Sequence, residues 1–194
     1  MFHFYAMLSR MKYINRWGLM RNTTPENISE HSLDTAFFAH ALATLRNVRF
    51  GGSVDAYQAA VLAMFHDVTE IITGDLPTPV KYHNPQIRSA YLQVEDMAKE
   101  RMLSLLPEDL RAAYAPLIAP DASVDPELLE LVKAADKLSA LVKCVEERAM
   151  GNQEFQKAET GIRQALLDLH LPEVDCFLAE FLPSFFLTLD EQDV

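Results

Sequence analysis

Two residue types that bind metals stand side by side at His66-Asp67, with a further histidine, His31, well upstream and an aspartate, Asp136, far downstream. Asp67 follows the apolar stretch Val61-Leu62-Ala63-Met64-Phe65, and an ionised carboxylate beside a core is costly unless it is paired or bound to a cation. Asp136 poses the same problem, because Ala134, Ala135 and Leu138 surround it in a segment whose apolar residues run from Leu128 to Val142. One shared divalent ion resolves both. Two imidazole nitrogens and two carboxylate oxygens suit manganese, cobalt, iron or zinc, with positions left for water and substrate. Composition alone does not choose among these metals. Such an ion can lower the pKa of water from 15.7 toward about 7 and make it a nucleophile at neutral pH. Taken singly, a histidine is ordinarily structural, and His3, His40, His83 and His170 are read that way. An isolated His-Asp dipeptide is a weak signal.

These four residues need elements to bring them together, and the periodicity is helical throughout, with no convincing stretch of strict alternation. The chain is therefore expected to be all-α. A first helical segment covers about Phe2 to Asn15 and ends before the polar turn Arg21-Asn22-Thr23-Thr24-Pro25. Asn27 stands three residues before Glu30, a capping-box pattern that places His31 in the first turn of the next helix. Gly51-Gly52 closes that unit, and Asp55 caps a third helix that runs to His66. A short continuation carries Glu70, Ile71 and Ile72 up to Gly74. Pro77 and Pro79 then impose a shaped loop over Gly74-Asp75-Leu76-Pro77-Thr78-Pro79. Asn84-Pro85 and Asp125-Pro126 both have the cap-plus-proline form of a helix start. They open helices to about Leu106 and to Met150, with Asp136 in the middle of the second and Gly151 at its left-handed C′ position. Two amphipathic segments, about Gln153 to Leu169 and Glu173 to Phe181, precede an aromatic-rich tail around Phe185-Phe186. No repeat, low-complexity tract or linker divides the 194 residues, which predicts a single domain.

The formal net charge of -11 offers no basic stripe for a polynucleotide, so no nucleic-acid polymer is expected as a partner. A small anion would need local cations, and Arg16, Arg21 and Lys81 are the nearest in sequence to the motifs. Cys144 and Cys176 lie in apolar helical segments without metal-type spacing and are read as buried thiols rather than a disulfide, which fits a reducing cytoplasm. No apolar run suits a membrane span or a signal peptide, so a soluble cytoplasmic protein without a membrane partner is expected.

The pattern His31, His66-Asp67, Asp136 resembles the H…HD…D signature of the HD-domain phosphohydrolases. Neighbouring blocks narrow the resemblance: Leu8-Ser9-Arg10, Ile14-Asn15-Arg16-Trp17, Leu19-Met20-Arg21-Asn22, Ser29-Glu30-His31-Ser32-Leu33, Glu70, Gly74-Asp75-Leu76-Pro77-Thr78-Pro79-Val80-Lys81-Tyr82 and Pro183-Ser184-Phe185. Agreeing in order and spacing over nearly the whole chain, they are similar to the bacterial 5′-deoxynucleotidases of the YfbR type. The resemblance implies an HD-domain helical bundle that hydrolyses deoxyribonucleoside 5′-monophosphates to deoxyribonucleoside and phosphate as a homodimer. It implies a divalent cation, cobalt or manganese first, with zinc, iron, copper or magnesium as alternatives. Position by position it makes His31, His66, Asp67 and Asp136 the metal ligands, Glu70 and Asp75 the catalytic residues, and Arg16, Trp17, His31, Asp75, Leu76, Pro77 and Thr78 the substrate contacts.

The residues support roles of their own. Glu70 lies four residues after His66, so on a continuous helix it shares that face and can deprotonate the attacking water. Arg16 can offer a planar fork to two phosphate oxygens, a geometry lysine does not reproduce. Trp17, the sole tryptophan, is ordinarily a core residue, yet beside Arg16 it can wall the sugar and exclude a 2′-hydroxyl by volume and by denying it a partner. Asp75 either accepts a hydrogen bond from the sugar or helps protonate the leaving group, with turn capping as a rival role. Thr78 is read as a donor to the nucleotide. No residue is identified that reads the base. Competing readings are an HD domain acting on a triphosphate, cyclic nucleotide or alarmone, and a non-catalytic nucleotide-binding module, against which Glu70 argues.

Overall fold

The computed structural model describes residues 1–81 and 83–192, with 78 and 79 described by their backbone alone. Among the described residues the regular elements are α1 (Phe4–Leu8), α2 (Ile28–Arg49), α3 (Ala56–Phe65), α4 (Glu70–Thr73), α5 (Thr78–Lys81), α6 (Pro85–Ser104), α7 (Glu108–Ile118), α8 (Pro126–Ala149), α9 (Gln156–Leu167) and α10 (Pro172–Glu180), with short 3₁₀ turns between and after them. The extended pairing there is an isolated antiparallel bridge between Asn15 and Asn27. The all-α expectation holds.

The caps behave as their chemistry requires. Asn27 Oδ1 accepts from the amides of Ser29 and Glu30 at 3.0 and 3.1 Å, and the Glu30 carboxylate accepts in return from the Asn27 amide at 3.1 Å. Asp55, Asn84 and Asp125 cap α3, α6 and α8 through side-chain oxygens. Gly151 follows α8 at φ 85°, the left-handed geometry that favours glycine.

Four departures have local causes. The expected proline loop ends early, because α5 opens at Thr78 and takes Pro79 in its first turn, where the missing N–H is no loss. The first segment is α only to Leu8 and then tightens to a 3₁₀ turn, Ser9–Tyr13, where Ser9 Oγ donates to the Ala6 carbonyl at 2.9 Å and competes with the helical ladder. The helix carrying His66 stops at Phe65, so His66, Asp67 and Glu70 do not share one continuous face. There His66 Nδ1 donates to the Ala63 carbonyl at 2.7 Å, and the amides of Val68 and Glu70 reach back only three residues, to Phe65 and Asp67. Finally, α7 is unannounced by hydrophobic periodicity because Pro116 falls inside it.

Two apolar clusters make the interior. The larger joins α2, α3, α8, α9 and α10 through residues such as Ala39, Leu42, Leu62, Leu131, Leu138, Leu141 and Phe177. The smaller contains Phe4, Met11, Ile28, Val68, Met102, Leu106 and Ile118. Ile28 lies one turn before His31, and Val68 directly follows Asp67, so the metal-binding residue types stand at the seam of the clusters. Both cysteines are free, Cys144 buried and Cys176 half-buried. Among the described residues no helix is long and apolar enough to cross a membrane.

Candidate metal centre and active site

Three helical regions converge at this seam. His31 comes from the first turn of α2, His66 and Asp67 from the turn after α3, and Asp136 from the middle of α8. His31 Nε2 lies 3.1 Å from Asp136 Oδ1 and 3.5 Å from Asp67 Oδ2. His66 Nε2 lies 3.1 Å from Asp67 Oδ2 and 3.9 Å from Asp136 Oδ1. The His31 side chain is fully enclosed and that of Asp136 41% exposed, so the imidazoles form the floor and the carboxylates the mouth.

These residues fit a divalent cation. Ligand atoms about 2.0–2.2 Å from a common ion are at most roughly 4.4 Å apart, and the four imidazole–carboxylate separations above obey that limit; the ligand atoms of His31, His66 and Asp67 lie within 4.8 Å of one another, with Asp136 outside that tighter group. His66 Nδ1 is committed to the Ala63 carbonyl and His31 Nδ1 lies 3.1 Å from Ser139 Oγ. Each ring thus turns Nε2 toward the carboxylates, the arrangement in which outer partners set the tautomer of a ligating histidine. His66 Nε2 is buried without a hydrogen-bond partner, too poorly aligned with Asp67 to form one.

Charge compensation marks the same spot. Burial alone would lower the His66 pKa, but the carboxylates of Asp67 and Asp136 outweigh it and raise the imidazole to about 9. Burial would raise Asp67, yet His66, His31 and Arg16 hold it well below the usual carboxylate range. Asp136 is also held low, against burial, by His31 and His66.

Glu70 opens α4 with its side chain 8% exposed. Its Oε1 accepts from Lys81 Nζ at 2.9 Å, while Oε2 is buried with no hydrogen-bond partner. Burial and then Asp67 push its pKa up, Lys81 opposes them, and the result is about 7. Asp75, half-buried, adds its charge to the upward push. Leu76 and Pro77 are half-buried, and the Pro77 carbonyl accepts from the amides of Val80 and Lys81 to start α5. The Thr78 side chain lies outside the described residues.

Arg16 and Trp17 reach the site by another route. The Arg16 amide donates to the Glu26 carbonyl and the Ile28 amide to the Ile14 carbonyl, both at 2.9 Å, which docks this segment beside the start of α2. Trp17 sits at φ 58°, a left-handed conformation that costs a bulky residue about 1–2 kcal/mol. Its ring packs edge-on against Phe155 with centroids 5.3 Å apart. The following loop is held by Glu147, which accepts from the amides of Thr23 and Thr24, from Asn152 and from Lys143. Both members of the Lys143–Glu147 pair are buried on α8.

Arg21 does not join the site: it pairs with Glu154, and its side chain is 92% exposed. Lys81 does, through Glu70. Two supporting residues escaped the sequence reading. Ser139 stands one turn beyond Asp136, a spacing that could have flagged it, whereas Glu26 carries no local signal because its partners lie across a bridge between non-adjacent segments.

The model of the 5′-deoxynucleotidase YfbR-like family matches residues 3–185. The chain belongs to that family. It is 50% identical over 191 residues to a 5′-deoxynucleotidase of Photorhabdus laumondii, covering 98% of this chain and 96% of that one. It is 52% identical over 189 residues to the 5′-deoxynucleotidase YfbR of Escherichia coli, covering 97% and 94%. Among solved structures, an HD-domain phosphohydrolase of Listeria innocua superposes with a TM-score of 0.80 at 22% identity, covering 99% of this chain and 92% of that one. The HD phosphohydrolase DatZ of cyanophage S-2L, bound to dA and one catalytic Zn2+ ion, superposes at 0.64 with 20% identity, covering 93% and 95%. These two likenesses establish the HD-domain fold.

Proposed function

We propose that this chain is a metal-dependent 5′-deoxynucleotidase that hydrolyses deoxyribonucleoside 5′-monophosphates to deoxyribonucleoside and phosphate. The observation that carries the reading is the convergence of two Nε2 atoms and two carboxylates next to a buried glutamate with a free oxygen. His31, His66, Asp67 and Asp136 hold the cation, cobalt or manganese by preference. When bound, a divalent cation supplies positive charge for a phosphoryl oxygen and lowers the pKa of water.

Glu70 orients the attacking water and takes its proton at Oε2, the oxygen that Lys81 leaves free. The water oxygen bonds to phosphorus as the bond from phosphorus to the 5′-oxygen breaks, and the proton that Glu70 received passes to the departing 5′-oxygen, which leaves Glu70 ionised and the deoxyribonucleoside neutral at that hydroxyl. Arg16 holds phosphate oxygens, and its charge already reaches the site, since it helps depress Asp67. Trp17 walls the sugar, and Asp75 with the Leu76-Pro77-Thr78 stretch closes the pocket on the nucleoside side, Asp75 accepting from a sugar hydroxyl. The free thiols of Cys144 and Cys176 fit a cytoplasmic enzyme. A homodimer is supported by the exposed apolar side chains Leu33, Phe37 and Val48 on α2 and Tyr57, Val61 and Met64 on α3, and light scattering at working concentration checks its mass.

The deciding experiment is phosphate release from matched 5′-deoxyribo-, 5′-ribo- and 3′-nucleotides, run after chelation and re-addition of single metals. Phosphate from 5′-deoxyribonucleotides, dependent on added cobalt or manganese, is expected. Release of pyrophosphate or triphosphate from triphosphates, with no monophosphate turnover, refutes the reading.

A further inference from the structure

We infer that Glu26 is a positioning residue that sets the phosphate-binding guanidinium of Arg16 and the sugar-facing indole of Trp17 in register with each other. The inference rests on the reading of Arg16 and Trp17 as substrate contacts. Its basis is one oxygen atom. Arg16 Nη1 donates to Glu26 Oε2 at 3.0 Å, and Trp17 Nε1 donates to the same Oε2 at 2.8 Å.

The backbone explains how two consecutive side chains meet one acceptor. The antiparallel bridge pairs Asn15 with Asn27, which puts Arg16 directly opposite Glu26. In extended chain the next side chain would point to the other face. The left-handed φ of 58° at Trp17 turns the indole back to the side of Arg16, and the Arg16 guanidinium carbon lies 5.8 Å from the indole ring centroid. Glu26 is only 9% exposed, and the Arg16 side chain 13%. In this near-buried setting the carboxylate is not a solvent-screened surface partner, and both of its bonds are charge-assisted. Phe155 supports the indole from a different element.

A 5′-nucleotide carries its phosphate and its 2′ carbon at a separation set by its own covalent frame. Guanidinium and indole must match that separation to bind the one and crowd the other. A carboxylate shared by both sets the distance before substrate arrives, which lowers the ordering cost on binding. A merely structural ion pair would affect folding, but not the preference between sugars.

The test uses the full chain loaded with manganese, with Glu26→Ala, Glu26→Gln, Trp17→Ala and the Glu26→Ala/Trp17→Ala double variant. Deoxyribo- and ribonucleoside 5′-monophosphates of one base are compared, and the sole tryptophan is followed by emission and acrylamide quenching. Glu26→Ala is expected to raise KM for the deoxyribonucleotide about tenfold or more, with kcat changed far less. It should also lower the deoxyribo-to-ribo ratio of kcat/KM to the Trp17→Ala value, with no further fall in the double variant. Emission shifts to the red and quenching increases. Glu26→Gln, which keeps a carbonyl oxygen for the indole but loses the charge facing Arg16, recovers the ratio and not the KM, and serves if the alanine variant does not fold. KM and ratio within twofold of wild type in both variants overturn the inference, as does a double variant whose loss is the product of the single losses. The fluorescence arm needs no turnover: unchanged emission and quenching in Glu26→Ala overturn it even in an active enzyme. A wild type that releases no phosphate, with fluorescence shifted in the variant, sinks the functional reading while upholding Glu26 as the residue that places the indole.

Discussion

Glu70→Gln removes one proton-accepting oxygen and little else. The amide carbonyl can still accept from Lys81, so the 2.9 Å contact that anchors the side chain has a successor. What disappears is basicity at Oε2, the buried atom without a partner. A positioned general base contributes about 10²–10⁴-fold, roughly 2.7–5.4 kcal/mol at 1.36 kcal/mol per decade. Phosphate release under saturating deoxyribonucleotide should fall by that factor, with bound metal, measured by elemental analysis, unchanged. The wild-type profile gives a second check. Glu70 acts ionised and its pKa is about 7, so kcat/KM should fall tenfold per unit as pH drops below about 7 and level off above it. Because Lys81 is the group that lowers this pKa, Lys81→Met should move the limb upward by roughly one unit or more. A Glu70→Gln enzyme within threefold of wild-type kcat, with its metal in place, refutes the assignment of the base.

Asp136→Asn should weaken metal binding at least ~100-fold by isothermal titration, since even an outer partner of a metal ligand is worth about 10–100-fold. Ser139→Ala, which frees His31 Nδ1, should weaken it by about 10–100-fold with the apo-protein fold intact by circular dichroism. Glu147→Ala should cost about 3–5 kcal/mol in urea unfolding, because it strands the buried Lys143 ammonium and the amides of Thr23 and Thr24. Hydrogen bonds from Lys143, Thr23, Asn152 and Thr24 outweigh burial and depress the Glu147 pKa from 4.5 to about 2. The stabilisation it provides is therefore complete above about 4.5 and is lost as pH falls through about 2; an acid-unfolding midpoint unmoved by Glu147→Gln would contradict this.

Much of the scaffold is legible because its instructions are local. Asn27 with Glu30, Asn84-Pro85, Asp125-Pro126 and Gly151 each solve a helix-end problem within a few residues, so the order of types suffices to locate α2, α6 and α8. The candidate metal-binding set is legible for a different reason: charged and imidazole side chains embedded in apolar stretches demand compensation, and the structure brings His31, His66, Asp67 and Asp136 together. The turn at 66–69 was hidden because the competitor to the helix is the His66 ring itself, taking the Ala63 carbonyl, an outcome that hydrophobic spacing does not encode. Glu26 is hidden because its importance comes from atoms that meet only after folding, whereas Ser139 leaves a trace in its one-turn spacing from Asp136. Arg21 illustrates the converse, a cation near the motifs in sequence that turns to Glu154 in space.

The left-handed backbone at Trp17 sets two demands against each other. Glycine at that position would sit in the same φ without its penalty of about 1–2 kcal/mol, yet it would forfeit the indole's packing on Phe155 and its hydrogen bond to Glu26, and truncating a packed tryptophan costs about 3–5 kcal/mol. The anchorage of the ring therefore outweighs the discomfort of its own backbone, and durability and fidelity ask for the same side chain at position 17.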